Sequence, residues 1–387
     1  MKRSARVQRL HPSATLGLTN RAKALRHEGK PVISFAAGEP DFGSPQAAYS
    51  AAVEAIRRQE THYTPVGGIP ELRDAVRGDY ARRFGLDIPS SRILIGCGGK
   101  PLIYEALQAA VDPGDEVLLF TPAWVSYVEQ LHMAEGREVL VDTLGTDLVP
   151  TRETVEAALT PATRGMIVNT PCNPTGAVWD ASVLGMLAEV AREKDLWVIF
   201  DEMYERLVYG EARHVNFLQV APDLEDRTLL LNGASKSYAM TGWRIGYALG
   251  PKSWIDDINA LQGHLTSNAS SIAQWAALGA LQGAEADVES MRGTFEKRRN
   301  LMVAEMEKMP YVRFRVPQGA FYVFLDVSRS PLPDDREFSA RLLEEQLVAA
   351  VPGTAFFAPG FLRFSYACSP DDIAQGMERL HRFLNSL

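Results

Sequence analysis

Between residues 92 and 250 the chain alternates short, almost wholly apolar runs with amphipathic stretches of helical length. The runs fall at 92–95, 116–120, 165–168, 196–200 and 228–231, and helical stretches follow at 102–111, 124–134 and 180–194. A strand with one face in water alternates apolar and polar residues. A strand without that alternation is buried on both faces, as in a parallel sheet covered by helices. The pattern predicts an α/β fold: a three-layer, doubly wound, mostly parallel sheet.

Past residue 284 the texture changes. A long charged helix over 284–308 leads to a strand at 321–325, a helix at 335–347, a strand at 362–365 and a closing helix. This reads as a smaller α+β domain. The first 45 residues carry little strand signal and are expected to pack with it, so that the small domain is built from both termini. The expected division is 1–45 as an arm and part of the small domain, 46–285 as the large domain, and 286–387 as the small C-terminal domain.

Length and charge narrow the function. At 387 residues and 46% hydrophobic, the chain is long enough to bury a core without disulfides or a metal. Forty Lys and Arg against 48 Asp and Glu leave a net charge of −8. That argues against nucleic acid as the partner, because phosphate binding needs an excess of cations. One local exception exists. No acid precedes Glu28, while Lys2, Arg3, Arg6, Arg9, Arg21, Lys23 and Arg26 do, which reads as a basic arm laid on an acidic body. No apolar run approaches the ~20 residues needed to cross a bilayer, so no membrane is expected. Cys97, Cys172 and Cys368 are scattered and make neither a disulfide framework nor a zinc pattern; a reducing cytoplasm is expected.

Several chemistries are missing. There is no H-E-x-x-H and no G-x-S-x-G. The seven histidines, among them His11, His62, His132 and His214, show no ligand spacing, so no metal is expected. Gly96-Cys97-Gly98-Gly99-Lys100-Pro101 fails the common phosphate-loop templates, since Pro101 stands where Ser, Thr or a last glycine is needed. By itself it describes a tight turn into a helix whose N-terminus can hold an anion.

What carries chemistry is Ser235-Lys236, directly after the 228–231 run, with Arg244 eight residues on beyond a glycine turn. A lysine at the end of a buried strand is desolvated and more easily deprotonated, as a Schiff-base lysine must be. Asp201 ends another strand, where open α/β sheets bind ligands, and Tyr204 follows it. Asn173-Pro174-Thr175-Gly176 is a rigid polar turn after a third strand. Alone, each has a plain structural use. Together they meet the needs of pyridoxal 5'-phosphate: a lysine for its aldehyde, an acid for its pyridine nitrogen, donors at its phenolic oxygen, a phosphate cup and an aromatic plate.

In order and spacing, six segments resemble one family: Gly38-Glu39-Pro40-Asp41-Phe42, Tyr63 to Arg73, the Asn-Pro-Thr-Gly turn, Asp201 to Tyr204, Ser235-Lys236 to Arg244, and Arg363-Phe364-Ser365-Tyr366-Ala367. The chain resembles the fold-type I pyridoxal phosphate enzymes of aminotransferase class I and II, and is most similar to the bacterial aspartate aminotransferase branch. The resemblance implies that Lys236 forms the Schiff base and shuttles the proton. It pairs Asp201 with the pyridine nitrogen, and Tyr204 and Asn173 with the phenolic oxygen. Ser235, Arg244 and the backbone of Gly99 and Lys100 would hold the phosphate, with Trp124 stacked on the ring. Tyr63 would reach the neighbouring subunit's phosphate, which implies a homodimer. Arg363 would bind the substrate α-carboxylate beside Gly38, Trp124 and Asn173.

The same resemblance sets Lys100 against the distal carboxylate of the substrate, which favours aspartate with 2-oxoglutarate among amino acids and 2-oxo acids. Alternatives are an aminotransferase for aromatic, methionine, kynurenine or prephenate-type substrates, or a carbon–sulfur lyase on the same scaffold. Five positions depart from the family pattern. His11 stands where a lysine is frequent, Cys172 where Asn is common, Asn268-Ala269 where Ser-Pro is usual near the substrate, and Gly233 where some relatives carry a phosphate-binding serine.

Overall fold

A computed structural model describes residues 3–10 and 14–387, apart from the side chains of 5, 6, 14–16 and 19. His11 lies outside the described residues. In chain order the strands are β1 (Ile33–Ser34), β2 (Ile93–Gly96), β3 (Glu116–Thr121), β4 (Arg137–Asp142), β5 (Thr163–Asn169), β6 (Trp197–Asp201), β7 (Thr228–Gly233), β8 (Gly246–Leu249), β9 (Arg313–Phe314), β10 (Tyr322–Asp326), β11 (Val348–Ala349), β12 (Val351–Pro352) and β13 (Phe361–Ser365).

Seven strands form one sheet in the order β2-β8-β7-β6-β5-β3-β4. All neighbours are parallel except around β8, which runs antiparallel between β2 and β7. The apolar runs are buried on both faces, as their composition requires. Leu118, Met166, Val168, Phe200 and Leu230 face one helical layer, while Leu119, Ile167, Ile199, Leu229 and Leu231 face the other. Alternate residues of one strand point to opposite faces, so only a run without polar residues can serve two cores.

Two strands of this sheet are not among the runs read from the sequence. β4 is an edge strand, R-E-V-L-V-D, and only Val141 is fully buried. An edge tolerates charge, so its composition resembles a surface segment. β8 is only four residues long and opens on glycine. Its pairing is set by the turn before it: Arg244 adopts left-handed backbone (φ 58°) and sends the chain back along β7.

The C-terminal part forms an antiparallel sheet, β12-β13-β10-β9. The closing helix, Pro370–Ser386, covers it. Ser369 caps that helix by accepting from the Asp372 N–H at 3.1 Å, and Pro370 opens it. Its buried residues Ile373, Met377, Leu380, Phe383 and Leu384 recur at helical spacing. The early chain joins this layer: β1 pairs in parallel with β11, Ile33 opposite Val348. At the N-terminus the short helix Ala5–Arg9 lies on the large sheet's outer layer. There Gln8 and Arg9 border a groove with His132, Glu135 and Arg137. The side chains bordering that groove carry both signs of charge.

Candidate active site

The carboxyl ends of β2, β3, β5, β6 and β7 open on one side of the large sheet, and a cavity of about 750 Å³ lies between them and the second sheet. This is where a doubly wound sheet binds its ligand. Register brings the chemistry together: Asn169 at the end of β5 lies opposite Asp201 at the end of β6, and Asp201 opposite Leu231 in β7. Asn169 Oδ1 accepts from the Asn173 N–H at 3.0 Å and so fixes the polar turn.

Lys236 sits one turn beyond β7, and its Nζ donates to the Gly38 carbonyl at 2.6 Å. Desolvation lowers its pKa to about 8; Glu39 opposes this, while Arg363, Arg244 and Lys100 reinforce it. Asp201 is almost completely buried. Its Oδ2 accepts from the Tyr127 hydroxyl at 2.7 Å and its Oδ1 from the Met203 N–H at 3.1 Å. Burial still raises its pKa to about 6, because two neutral donors do not offset the loss of water. A protonated ring nitrogen is the partner such a carboxylate lacks.

Arg363 is 2% exposed, yet only part of its guanidinium is satisfied. Nη1 donates to Asn173 Oδ1 at 2.8 Å and Nη2 to the Ala36 carbonyl at 3.1 Å, while buried Nε has no protein acceptor. The ring of Tyr322 lies under the guanidinium, 4.3 Å from ring centre to Cζ. The Tyr322 hydroxyl is 3.0 Å from that of Tyr204.

The phosphate-side turn is a close approach of three chain segments. Gly98 has φ +100°, and a Cβ there would collide with the Arg244 guanidinium. A Cβ on Gly246 would run into the backbone of Gly98 and Gly99. The helix Gly99–Ala110 starts at this point, and its first N–H groups face the cavity end where Ser235 and Arg244 also lie. Gly233 belongs to the same contact: a Cβ would lie 2.8 Å from the Ile245 carbonyl oxygen and 3.0 Å from Gly246 Cα. A serine at 233 has no room, which gives this departure a steric cause.

Trp124 and Lys100 line the same cavity side by side. The Lys100 ammonium, reaching in from the rim, lies 4.8 Å from the Trp124 ring centre, and desolvation and then Arg244 lower its pKa.

The cavity therefore gathers Gly38, Gly99, Lys100, Trp124, Asn173 and Asp201 with Tyr204, Ser235, Lys236, Arg244 and Arg363. Tyr63 is not among them: it is 91% exposed on a loop outside its own chain's cavity. Asn268-Ala269 also lies away from that cavity, and the Ala269 carbonyl accepts from Gln274, whose amide also donates to Thr64 beside Tyr63. Cys172 is buried under the Asn-Pro-Thr-Gly turn, its Sγ against the Pro122 carbonyl at 3.6 Å. Two cavity residues have no signal in the sequence. Tyr127 and Tyr322 sit inside a helix and a strand at apolar-looking positions and read as core until their hydroxyls are placed.

These groups fit pyridoxal phosphate: a buried carboxylate whose hydrogen-bond donors are both neutral, a desolvated lysine and a glycine-lined anion turn. No cluster of metal-ligating side chains occurs among the described residues. Nor is any described helix long and apolar enough to cross a membrane.

Comparison with known proteins agrees with this geometry. Residues 30–380 match the family model for aminotransferase class I and II. The chain is 43% identical to the aspartate aminotransferase of Geobacillus stearothermophilus over the whole of both chains. It is 42% identical to the aspartate/prephenate aminotransferase of Thermus thermophilus over 98% of each. Among solved structures, the Thermus thermophilus aspartate aminotransferase with maleate superposes with a TM-score of 0.94 at 42% identity, covering 99% of both chains. The Rhizobium meliloti aspartate aminotransferase superposes with a TM-score of 0.95 at 39% identity, covering 100% of this chain and 99% of the other. The chain thus belongs to the class I and II aminotransferases, pyridoxal phosphate enzymes of fold type I whose reaction is transamination.

Proposed function

We propose that this enzyme takes the amino group of aspartate and passes it to 2-oxoglutarate. The observation that carries the reading is the presence, among the cations lining one cavity, of Arg363 from β13 and Lys100 from the helix after β2, neither of which is the Schiff-base lysine or the phosphate arginine. One serves the α-carboxylate that every amino acid has, the other a second carboxylate that only acidic side chains have. Relatives at about 40% identity that bear the name aspartate aminotransferase support the assignment.

When bound, pyridoxal phosphate supplies an aldehyde for the amino group and a ring that accepts the electron pair released at Cα. The chain does the rest. Arg363 binds the α-carboxylate with its free donors, a charge-assisted contact in a dry site. Asn173, whose oxygen is taken by Arg363, keeps its amide N–H₂ for the phenolic oxygen, beside the Tyr204 hydroxyl. Asp201 holds the proton on the ring nitrogen, and that pairing relieves its own burial. Ser235, Arg244 and the N–H groups of Gly99 and Lys100 hold the phosphate. Lys236 Nζ takes the proton from Cα and returns it. With a pKa of about 8, roughly a tenth of it is neutral at pH 7 before any cofactor binds.

The site is completed by a second copy. Tyr63 is 91% exposed, and Tyr49, Val53 and Ile56, which repeat along one face of the helix Gln46–Arg57, are 43%, 47% and 56% exposed. This supports a homodimer in which Tyr63 reaches the partner's phosphate. Three unpaired cysteines support a reducing compartment, the cytoplasm. The deciding measurement is kcat/KM for aspartate against phenylalanine with 2-oxoglutarate as acceptor; a parent enzyme that prefers phenylalanine would refute the aspartate assignment.

A further inference from the structure

Four side chains from four segments form a chain of contacts in the cavity lining. Tyr204 follows β6, Tyr322 opens β10, Arg363 lies in β13 and Asn173 follows β5. The Tyr204 and Tyr322 hydroxyls are 3.0 Å apart, the Arg363 guanidinium covers the Tyr322 ring at 4.3 Å, and Arg363 donates to Asn173 at 2.8 Å. Tyr322 has no exposed surface, and its hydroxyl, packed close to Gly38, has Tyr204 as its hydrogen-bond partner among the described residues.

We propose that Tyr322 is a positioning residue that joins the carboxylate-binding arginine to the hydroxyl facing the cofactor's phenolic oxygen. The proposal rests on the roles given above to Tyr204 and Arg363. Two physical effects support it. Tyr204 must donate toward the phenolic oxygen, so between the two tyrosines it is the acceptor, and Tyr322 donates. A hydroxyl that accepts a hydrogen bond is a stronger donor in turn. The Arg363 charge over the ring polarises the Tyr322 O–H in the same sense, and the ring face in turn holds a desolvated guanidinium in place. The charged groups acting on the two tyrosines are Arg363 on β13 and Asp201 on β6, and neither changes in the variants below.

The test uses the holoenzyme and three variants: Tyr204→Phe, Tyr322→Phe and Tyr322→Leu. Two readouts are needed, the pH midpoint of the cofactor's visible absorption band without substrate, and KM and kcat with aspartate and with phenylalanine. Tyr204→Phe is expected to raise the midpoint, because the phenolic oxygen loses a donor. Tyr322→Phe is expected to raise it in the same direction by less, with KM nearly unchanged since the ring remains. Tyr322→Leu is expected to raise the midpoint and also to raise KM for both substrates, by about 2- to 30-fold, the range of a lost cation–π contact. If Tyr204→Phe moves the midpoint and Tyr322→Phe does not, the proposal fails and the role of Tyr204 stands. If Tyr204→Phe itself leaves it unmoved, that role fails and the proposal with it. A lower melting temperature in Tyr322→Phe with an unmoved midpoint means a packing role only, and also overturns the proposal. Should Tyr322→Leu not fold, the Phe variants decide the outcome.

Discussion

The Tyr127 hydroxyl donates to Asp201 Oδ2 at 2.7 Å, and both groups are buried beneath the ends of β5 and β6. This contact orients the carboxylate without neutralising it. Asp201 is therefore left holding its proton up to about pH 6 in the cofactor-free protein.

A pH dependence follows for the apoprotein. The folded pKa of Asp201 is raised above its unfolded value, so its contribution to stability is full below about pH 4 and is lost as pH rises through about 6. Asp201→Asn removes this titration. The parent is expected to lose up to about 3 kcal/mol relative to the variant between pH 4 and 7, two pK units at 1.36 kcal/mol each. Urea unfolding of both apoproteins across that range measures it, and a difference that does not change with pH counts against the environment described. With cofactor, the same variant is expected to lose most transamination.

Lys236→Ala should abolish covalent attachment of the cofactor. Borohydride reduction followed by peptide mass spectrometry would find the cofactor on Lys236 in the parent and on no residue in the variant. Half-transamination should fall by at least the ~10²–10⁴-fold typical of general acid–base catalysis. Attachment at a different lysine in the parent would refute the assignment.

Lys100→Ala separates substrates. A charge-assisted hydrogen bond is worth ~1.5–3 kcal/mol, so kcat/KM for aspartate should drop roughly 10- to 150-fold while phenylalanine is spared. An equal loss for both would mean that Lys100 supports the phosphate turn beside Arg244 instead. Arg363→Ala should harm both substrates.

Gly233→Ser tests the crowding at the phosphate turn. The added Cβ would sit 2.8 Å from the Ile245 carbonyl oxygen, so β8 must shift and carry Gly246 away from Gly98. A cost of about 1–3 kcal/mol in stability is expected, the usual range for overpacking. Cofactor should be retained less well on dialysis, whereas unchanged retention would show that the turn has slack.

Glu202 lies next to Asp201 but points away from the cavity, fully buried. Its carboxylate accepts from Tyr80 at 2.6 Å, His214 at 2.7 Å and Asn216 at 2.9 and 3.0 Å. Glu202→Ala strands three donors at once and is expected to destabilise by about 3–5 kcal/mol, as when one partner of a buried polar cluster is removed. Glu202→Gln, which keeps the shape, should cost less in thermal unfolding.

The sequence by itself determined where five strands of the large sheet lie and that they are buried on both faces, because such burial forbids polar residues and that rule acts residue by residue. It also held the chemistry of Lys236, Asp201 and Asn173, since a desolvated lysine, a strand-end acid and a proline-locked turn are unusual enough to stand out locally, whereas Arg363 stood out only through the family resemblance. Other features depend on which distant segments meet. β8 enters the sheet because Arg244 turns left-handed and Gly246 fits against Gly98, a contact between segments some 150 residues apart that no local pattern encodes. Tyr127 and Tyr322 look like core aromatics, and only tertiary structure aims one hydroxyl at Asp201 and the other at Tyr204. Tyr63 is the reverse case: the fold turns it away from its own cavity, because its loop is anchored through Thr64 to Gln274 on the outer helices. Local composition reports how buried a residue must be, while the identity of its neighbour is a property of the folded chain alone.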